Sequence, residues 1–355
     1  MKIEGLGYSQ YFEQKRKELG LEGFPVARVI TEFKEAYRVK NANKEYLAKI
    51  TGKQMFEASG REDYPAVGDW VAIEAVDNDH AVIRGLLPRL TVIKRKYGDR
   101  TQIIATNIDI AFVVESVDRD YNLNRFERYF AIAESGGVKP AIILNKIDLL
   151  SKEESAEKLT ELKSRFPDID MFFTSSVNDE WLGDLKKYIT KGKTYCFLGS
   201  SGVGKSTLIN RLLGEDAIQT GNISSFSGRG KHITASRQMY VLPNGGIVID
   251  NPGMREVGMA DADQGIDSFF DEIVSLSEGC QYADCMHMHE PGCAVLEAVK
   301  SGKLDKNKYG NYVNLKKEAE HFEMDNIEKR EKDRQFGKFK KNAVKELKNF
   351  GHKDW

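Results

Sequence analysis

The chain has 355 residues, of which 41% are hydrophobic and 30% are charged. This length allows two or three folded domains, and the composition excludes a wholly disordered or fibrous protein. The 53 Lys and Arg residues nearly balance the 54 Asp and Glu residues, so the net charge of −1 excludes nucleic-acid binding through bulk positive charge and leaves only local basic patches.

The sequence also bounds the compartment in which we expect the protein. No apolar run approaches the roughly 18 residues that a membrane span needs, and the first residues lack the apolar core of a signal peptide. Three of the four cysteines lie between positions 280 and 293, which is not the pattern of a secreted disulfide framework. We therefore expect a cytoplasmic protein that has no contact with a membrane.

The first hundred residues predict a short helix, over residues 8–19, followed by a small β-barrel. Short β-rich runs alternate with turns rich in Gly, Asn and Asp, at residues 26–30, 46–50, 70–73 and 80–83. Four or five short strands at this spacing favour a barrel of the OB-fold type. Such a barrel is either a platform for nucleic acid or a purely structural domain, and both interpretations remain open.

The middle of the chain alternates between strands and helices, which predicts an α/β domain. Continuous apolar runs typical of buried parallel strands occur at residues 108–114, 141–144, 171–174 and 194–198. Helical stretches are predicted at residues 123–135 and 151–166. In such a fold, ligands bind beyond the carboxyl ends of the strands.

A phosphate-binding loop (P-loop) follows the strand predicted at residues 194–198. Glycines in such a loop let backbone N–H groups close around phosphate oxygens. Lys205 can reach the β- and γ-phosphates, and the hydroxyl group of Ser206 can bind Mg²⁺. The pattern predicts nucleotide binding by Gly199, Ser200, Ser201, Gly202, Val203, Gly204, Lys205, Ser206 and Thr207.

An Asn-Lys-x-Asp motif at the end of the strand at residues 141–144 predicts that the base is guanine. The carboxylate of Asp148 offers two acceptors to the N1–H and N2–H₂ donors of guanine, and adenine has no such pair of donors. Asn145 can connect this loop to the P-loop, and the stem of Lys146 can cover the base. A surface turn is the usual alternative for four residues, but the position beside a P-loop favours GTP.

A second phosphate motif begins at Asp250, 45 residues after Lys205. Asp250 is expected to hold the shell of Mg²⁺, and the backbone N–H of Gly253 is expected to meet the γ-phosphate. Between the two phosphate motifs, the glycine-flanked basic loop at residues 228–234 suits a mobile switch in which Thr234 completes the Mg²⁺ shell.

Slow intrinsic hydrolysis is expected, because Met254 follows Gly253 where Ras-like enzymes carry a glutamine that orients water. A thioether cannot orient water by hydrogen bonding. His232 is the candidate replacement as a catalytic residue, although a histidine in a loop is often a spectator.

The order of these motifs is unusual, because the base motif precedes the P-loop and Asp250 comes last. The geometry of the site does not depend on where the chain is cut, so the same site forms when the strands of the sheet are connected in a different order. We therefore interpret the central domain as a circularly permuted GTPase. The segment that follows Gly253 then leads directly into the C-terminal region and could transmit the nucleotide state to it.

A compact cysteine cluster near residue 290 predicts a structural zinc site. Three thiolates and one imidazole within 14 residues provide a closed tetrahedral set of ligands, namely Cys280, Cys285, His287 and Cys293. His289 is the alternative nitrogen ligand.

Residues 330–355 carry 9 Lys and Arg against 4 Asp and Glu. This tail is either a solvated helix end or a segment that contacts phosphates.

Together these motifs resemble the RsgA (YjeQ/YloQ) family of circularly permuted GTPases that depend on the small ribosomal subunit. The resemblance covers residues 24–300 and includes the run Pro-Ala-Val-Gly-Asp-Trp-Val at residues 65–71. It implies an N-terminal OB-fold, a permuted GTPase domain and a zinc-bearing helical domain. It also implies a role in late maturation or a checkpoint of the small subunit, whose rRNA stimulates GTP hydrolysis.

Some positions depart from the pattern of that family. The switch has a single hydroxyl at Thr234 instead of two, and Asn251 stands where the family usually has threonine. The loop that backs the base carries Ser175 and Ser176 in place of the commoner Ser-Ala, and the resemblance assigns both serines to GTP binding. None of these departures removes a required charge or glycine.

The resulting expectation is a monomer that binds GTP with Mg²⁺, one zinc ion, and the rRNA of the small subunit. We expect a leading helix at 1–23, an OB-fold barrel at 24–100, the permuted GTPase domain at 101–268, and a mostly helical zinc-binding domain with a basic tail at 269–355. A nucleotide-gated RNA-binding scaffold with incidental hydrolysis is the alternative function. A GTPase that acts on another RNA is a third.

Overall fold

The computed structural model describes residues 2–34, 36–97, 100–118, 121–175, 177, 179–215, 217–218, 237–251 and 262–323. Its first part contains one leading helix and a barrel. These elements are α1 (Gln10–Glu18), β1 (Val26–Glu32), β2 (Tyr37–Lys40), β3 (Glu45–Ile50), α2 (Gly52–Glu57), β4 (Trp70–Ala75) and β5 (His80–Leu86).

The barrel predicted from the sequence is confirmed. Its strands run in the order β1-β2-β3-β5-β4, and β4 closes the barrel by pairing with β1. Alternate side chains such as Val29, Val39 and Ile83 fill the interior. The strand that the sequence did not reveal is β2, because it has only four residues and two of them are basic.

The run at residues 65–71 connects the barrel to the leading helix. The indole of Trp70 is fully buried against Tyr8 and Phe12. The carboxylate of Asp69 accepts a hydrogen bond from the backbone N–H of Ala66 and two from the guanidinium of Arg89, which fix the turn that precedes β4. The run therefore has a structural role.

A hairpin follows the barrel, and a six-stranded sheet follows the hairpin. The hairpin, which the sequence did not predict, consists of β6 (Val92–Tyr97) and β7 (Arg100–Thr106). The sheet and its helices are β8 (Ile110–Ser116), α3 (Leu123–Ser135), β9 (Lys139–Asn145), α4 (Lys152–Arg165), β10 (Met171–Thr174), α5 (Gly183–Tyr188), β11 (Thr194–Leu198), α6 (Lys205–Leu213), β12 (Gln238–Val241) and β13 (Ile247–Asp250).

The sheet has the order β10-β9-β8-β11-β13-β12, in which β12 alone is antiparallel to its neighbour. The five parallel strands therefore end at the same edge, where the loops after β9, β10, β11 and β13 meet. Apolar side chains cover both faces, with Phe130 and Ile142 in one core and Phe197 and Leu208 in the other. The predicted α/β domain is confirmed.

The barrel and the α/β sheet are joined through β1. Strand β1 pairs with β12 through Thr31 and Gln238, so the hydrogen-bonded ladder continues from one sheet into the other. Beside this junction the fully buried guanidinium of Arg28 donates to the carbonyls of Leu6, Gly68 and Asn107.

The C-terminal part consists of α7 (Asp263–Phe269), α8 (Asp271–Ser277), α9 (Ala294–Lys300) and α10 (Lys306–Glu323). It packs on α3, and the guanidinium of Arg128 forms two hydrogen bonds with the carboxylate of Glu318. Phe270 and Leu315 belong to the same core as Phe130. Among the helices that the structure describes, none combines the length and the apolarity that crossing a bilayer requires.

Candidate functional site

The P-loop lies between β11 and α6, at the edge where the parallel strands end. Gly199 has a φ of 143°, and a Cβ atom on it would lie 2.2 Å from the carbonyl oxygen of Val114, so no other residue fits there. Gly202 and Gly204 also have positive φ angles. These glycines allow the tight turn that aims backbone N–H groups at a ligand at the start of α6.

The Lys205 side chain is buried beneath this loop. Its ammonium group donates to the carbonyls of Gly199 and Ser200, at 2.8 and 2.7 Å. Burial lowers the pKa of Lys205 to about 8, and the nearby carboxylate of Asp250 counteracts part of that effect. A poorly solvated cation at this place is suited to a phosphate, which supplies the counter-charge.

The base motif is hydrogen-bonded to the P-loop. The side-chain amide of Asn145 is fully buried, donates to the carbonyl of Val203 at 2.8 Å and accepts from the hydroxyl of Thr174 at 3.0 Å. It therefore joins the loop after β9 to the P-loop and to the end of β10. The Ser175 hydroxyl donates to a carboxylate oxygen of Asp148 at 2.5 Å.

Lys146 has a left-handed backbone conformation, with φ at 63°. Its ammonium group pairs with the carboxylate of Asp118 at 2.9 Å. This ion pair stretches the lysine stem between the ends of β9 and β8, and it favours the charged form of Asp118, whose pKa is lowered. The ion pair thereby fixes the direction in which the lysine stem runs.

The second phosphate motif begins beside the P-loop. The Ser206 hydroxyl donates to one carboxylate oxygen of Asp250 at 3.1 Å. The other oxygen of Asp250 is buried and has no hydrogen-bond partner among the described residues. Burial raises the pKa of this carboxyl group, while Ser206 and Lys205 act against the rise. A buried oxygen with a free lone pair, next to a hydroxyl group, is suited to a hard cation.

Asn251 extends this arrangement into the sheet. Its side-chain amide donates to the sulfur of Cys196 at 2.9 Å, so the residue after Asp250 is attached to the middle of β11. Burial raises the pKa of the Cys196 thiol to about 12, so this thiol stays protonated.

Four predicted site residues lie outside the described residues, and the structure says nothing of them. They are Ser176, His232, Thr234 and Gly253. Met254 and the basic tail at 330–355 also lie outside.

The cysteine cluster forms one compact group beside α9. The sulfur of Cys280 is 3.8 Å from that of Cys293, and the Nδ1 atom of His287 is 3.6 and 3.5 Å from these two sulfurs. With the sulfur of Cys285, all four ligand atoms lie within 4.8 Å of one another and could hold a metal ion. The group contains His287, and the alternative ligand His289 is not part of it.

Sequence reasoning did not identify two of the contacts at the site, those of Thr174 and Asp118. Both residues lie at the carboxyl end of a strand, beside β9. Because such ends meet at one edge of a parallel sheet, polar residues there are candidates for a shared site. That positional signal was available for both.

Comparison with known proteins places these motifs in context. The family model described as RsgA GTPase matches residues 86–260. A protein of Bacteroides thetaiotaomicron named small ribosomal subunit biogenesis GTPase RsgA 1 is 38% identical over 330 residues, which cover 91% of each chain. RsgA 2 of Lactiplantibacillus plantarum, with the same descriptive name, is also 38% identical and covers 93% of each chain.

Two solved structures share the fold. YjeQ from Thermotoga maritima superposes with a TM-score of 0.62 at 24% identity and covers 82% of this chain and 96% of its own. YloQ, described as a circularly permuted GTPase, gives a TM-score of 0.61 at 23% identity and covers 85% and 97%. The combination of barrel, α/β sheet and C-terminal helices is therefore an established architecture.

Proposed function

Because the chain belongs to the family of RsgA GTPases, we propose that it hydrolyses GTP in the biogenesis of the small ribosomal subunit. The observation that carries this proposal is the hydrogen bond from Asn145 to the P-loop carbonyl of Val203. This bond supports the proposal because it joins the base motif to the phosphate motif, although the two motifs come in the reverse of their usual order along the chain.

The base loop selects guanine in this proposal. Asp148 accepts hydrogen bonds from the N1–H and N2–H₂ groups of the base, and the hydroxyl of Ser175 holds that carboxylate in place. The stem of Lys146, anchored by Asp118, covers one face of the base. Ser176 completes the loop.

The P-loop from Gly199 to Thr207 binds the phosphates. Its backbone N–H groups and the ammonium of Lys205 neutralise the phosphate charge. Ser206 and the free oxygen of Asp250 would hold Mg²⁺, because both are hard oxygen ligands that lie next to each other. Thr234 would complete the shell and the backbone N–H of Gly253 would meet the γ-phosphate. When bound, Mg²⁺ supplies positive charge where the leaving phosphate becomes negative.

His232 takes the role of orienting the attacking water, since Met254 cannot do so by hydrogen bonding. Without a fixed water the turnover is slow, and the small subunit raises it. Slow turnover also agrees with the alternative function, a nucleotide-gated RNA-binding scaffold, because a protein that only needs to bind GTP would carry the same base and phosphate loops.

The Cys280, Cys285, His287 and Cys293 group holds a structural zinc ion in this proposal. A tetrahedron with Zn–S bonds of about 2.3 Å and a Zn–N bond of about 2.0 Å has S–S edges of about 3.8 Å and S–N edges of about 3.5 Å. The Cys280–Cys293 distance of 3.8 Å and the Cys293–His287 distance of 3.5 Å agree with these values.

We retain the division into a leading helix at 1–23, a barrel at 24–100, a GTPase domain at 101–268 and a zinc-binding domain at 269–355. The barrel, the zinc domain and the basic tail contact rRNA during late maturation or a checkpoint of the small subunit. The protein acts in the cytoplasm as a monomer.

Two binding measurements test the proposal. Equilibrium binding of GTP and ATP, each with Mg²⁺, should favour GTP by at least 100-fold, because adenine leaves the Asp148 carboxylate without donors. Co-sedimentation with purified small subunits should be tighter with a non-hydrolysable GTP analogue than with GDP. Equal affinity for GTP and ATP, or sedimentation with large subunits only, would contradict it.

A further inference from the structure

A cavity of about 290 Å³ lies where the barrel meets the α/β sheet, away from the P-loop. It adjoins the pairing of β1 with β12. Its lining consists of Glu32, Phe33, Lys34, Tyr37, Arg61, Tyr64, Pro65, Ala66, Gln102, Ile103 and Arg237. Neither the base motif nor the phosphate motifs contribute to it.

Several polar groups that line the cavity have no partner among the residues that the structure describes. Within that part of the chain, no hydrogen bond or ion pair involves the carboxylate of Glu32, the guanidinium of Arg61 or the hydroxyls of Tyr37 and Tyr64. The half-buried Glu32 carboxylate is poorly solvated, and burial raises its pKa while Arg237 and Arg61 act against the rise. Leaving the partly buried Glu32 and the buried Tyr37 without partners is costly, so a ligand that supplies hydrogen-bond donors would be stabilised here, and the exposed Arg61 would attract a negative charge.

The size and charge of the cavity restrict the class of ligand. A volume near 300 Å³ is at the lower end of small-molecule sites and suits one nucleobase with its sugar. Three cationic side chains, Lys34, Arg61 and Arg237, face one acidic side chain, which disfavours a cationic ligand. Lys34 and Arg61 are exposed at the mouth of the cavity, whereas Tyr37 is buried.

We propose that this cavity binds one guanine nucleotide in addition to the nucleotide on the P-loop. The base lies against the rings of Tyr37 and Tyr64 and donates from its N1–H and N2–H₂ groups to the Glu32 carboxylate. Its phosphate lies at the mouth, on Lys34 and Arg61. Guanine is the base that offers two adjacent donors to one carboxylate. The nucleotide is either an unpaired residue of an RNA strand or a free mononucleotide, and both share this chemistry.

One wall residue of the cavity is close in sequence to a proposed catalytic residue. Arg237 lies at the cavity wall, donates to the carbonyl of Ile103 at 3.0 Å, and is five residues from His232 along the chain. A nucleotide in the cavity would lie between Arg61, which precedes β4, and Arg237, which precedes β12. This inference rests on the proposed function insofar as the RNA strand belongs to the small subunit.

Photocrosslinking tests the proposal on the full chain loaded with GDP and Mg²⁺. The probes are 8-azidoguanosine 5′-monophosphate and the pentanucleotide UUGUU with the same azido base, and crosslinked peptides are mapped by mass spectrometry. We expect crosslinks on the peptides that contain Tyr37 and Tyr64. In Glu32→Gln the yield should fall roughly 10- to 100-fold, since a hydrogen-bonded charge is lost. Glu57→Gln, an exposed barrel variant, should match the wild type.

The two probes distinguish the source of the nucleotide. If the pentanucleotide crosslinks to the cavity at concentrations where the mononucleotide does not, the cavity binds a residue of an RNA strand. If the two probes give equal crosslinking yields, the cavity binds a free nucleotide. Crosslinks confined to the peptides of Asp148 and Ser175, or equal cavity yields in the wild type and Glu32→Gln, would overturn the proposal. Arg61→Ala provides a second variant with the same expected loss. Because phosphate release from GTP is measured separately on the same preparation, failure of the cavity proposal is distinguishable from failure of the proposed function.

Discussion

At the P-loop, a buried cation makes stability depend on pH. The pKa of Lys205 is about 8 in the folded protein and 10.5 for an ordinary lysine. Between these values the unfolded chain binds more protons than the folded chain, so the free energy of unfolding rises with pH. Below pH 8 both states are protonated and the burial penalty acts in full.

We predict that Lys205→Met raises the free energy of unfolding of the nucleotide-free protein by about 2–3 kcal/mol at pH 7. The difference from the wild type should shrink as the pH rises from 8 to 10.5, and nucleotide binding should be lost. Urea unfolding at several pH values measures this. Lys187→Met, at an exposed position on α5, is the matched control. A variant that is less stable than the wild type at every pH would show that the lysine is not penalised by burial.

A second prediction concerns the base. Asp148→Asn replaces one acceptor with a donor, so the affinity for GDP should fall by roughly 10- to 100-fold and xanthosine diphosphate should become the better ligand. Competition binding with the two nucleotides measures the change. Asp168→Asn, in an exposed turn before β10, should leave the preference for guanine intact. An unchanged preference in Asp148→Asn would remove Asp148 from the base site.

Among the elements, Arg28 holds four parts of the chain together. Its guanidinium donates to carbonyls of the leading segment, of the turn before β4 and of the residue after β7, and also to the hydroxyl of Thr194 at the start of β11. We predict that Arg28→Met lowers the free energy of unfolding by about 3–5 kcal/mol, because it leaves these buried acceptors without donors.

Thermal and urea unfolding measure this loss. Arg28→Lys should recover only part of it, since an ammonium group cannot reach acceptors on all sides. Arg38→Met, at an exposed position on β2, should change the stability by less than about 0.5 kcal/mol. If Arg28→Met were as stable as Arg38→Met, the hydrogen bonds of Arg28 would not be needed to hold these parts of the chain together.

Sequence patterns predicted the strands whose residues are similar in polarity from one end to the other. Strands β10 and β11 were predicted at their observed bounds because each is a continuous run of mostly apolar residues with no charged residue, and β11 is buried along its whole length. The β6–β7 hairpin was missed because basic residues interrupt the apolar pattern of β6, and β12 was missed because it has only four residues and most of them are partly exposed. The role of Arg28 was also missed, because an arginine inside a β-rich run gives no sign that its partners come from distant segments.

The candidate site was more predictable than the fold around it. Phosphate and base motifs are local in the sequence, because backbone turns of fixed length must surround the ligand. The contact of Asn145 with the P-loop was predicted from the motif itself, but the contacts of the motifs with residues outside them were not. Asp118 reaches Lys146 and Cys196 reaches Asn251 only because the sheet order brings their strands together.

At the scale of the whole molecule, the C-terminal helices share one core with the α/β sheet. Phe270, Ile273 and Val295 belong to the same cluster as Phe130 and Phe166. The cysteines of the candidate metal group belong to this cluster or pack against it, and Cys293 directly precedes α9. The helices are thus fixed by the sheet, and a metal ion bound to this group would hold them further.

We predict that removing the metal with a chelator loosens residues 270–300 and leaves the affinity for GDP within about threefold, because the base and phosphate loops are supported by other elements. Hydrogen exchange followed by mass spectrometry measures the first effect, and nucleotide titration measures the second. Cys285→Ser, which removes one of the four ligands, should loosen the same residues. Cys196→Ser is the control, because this cysteine lies in β11 outside the metal group, and it should retain one metal ion per chain. Loss of GDP binding on chelation would show tighter coupling between the helices and the nucleotide site.

We propose that this arrangement hydrolyses GTP under the control of the small ribosomal subunit. The experiment that tests this proposal measures phosphate release from GTP and from ATP, alone and with purified small or large subunits. We predict slow release from GTP alone, strong stimulation by small subunits only, and no release from ATP. Tight GTP binding without any stimulation would contradict the claim and would favour a nucleotide-gated scaffold or a different RNA partner.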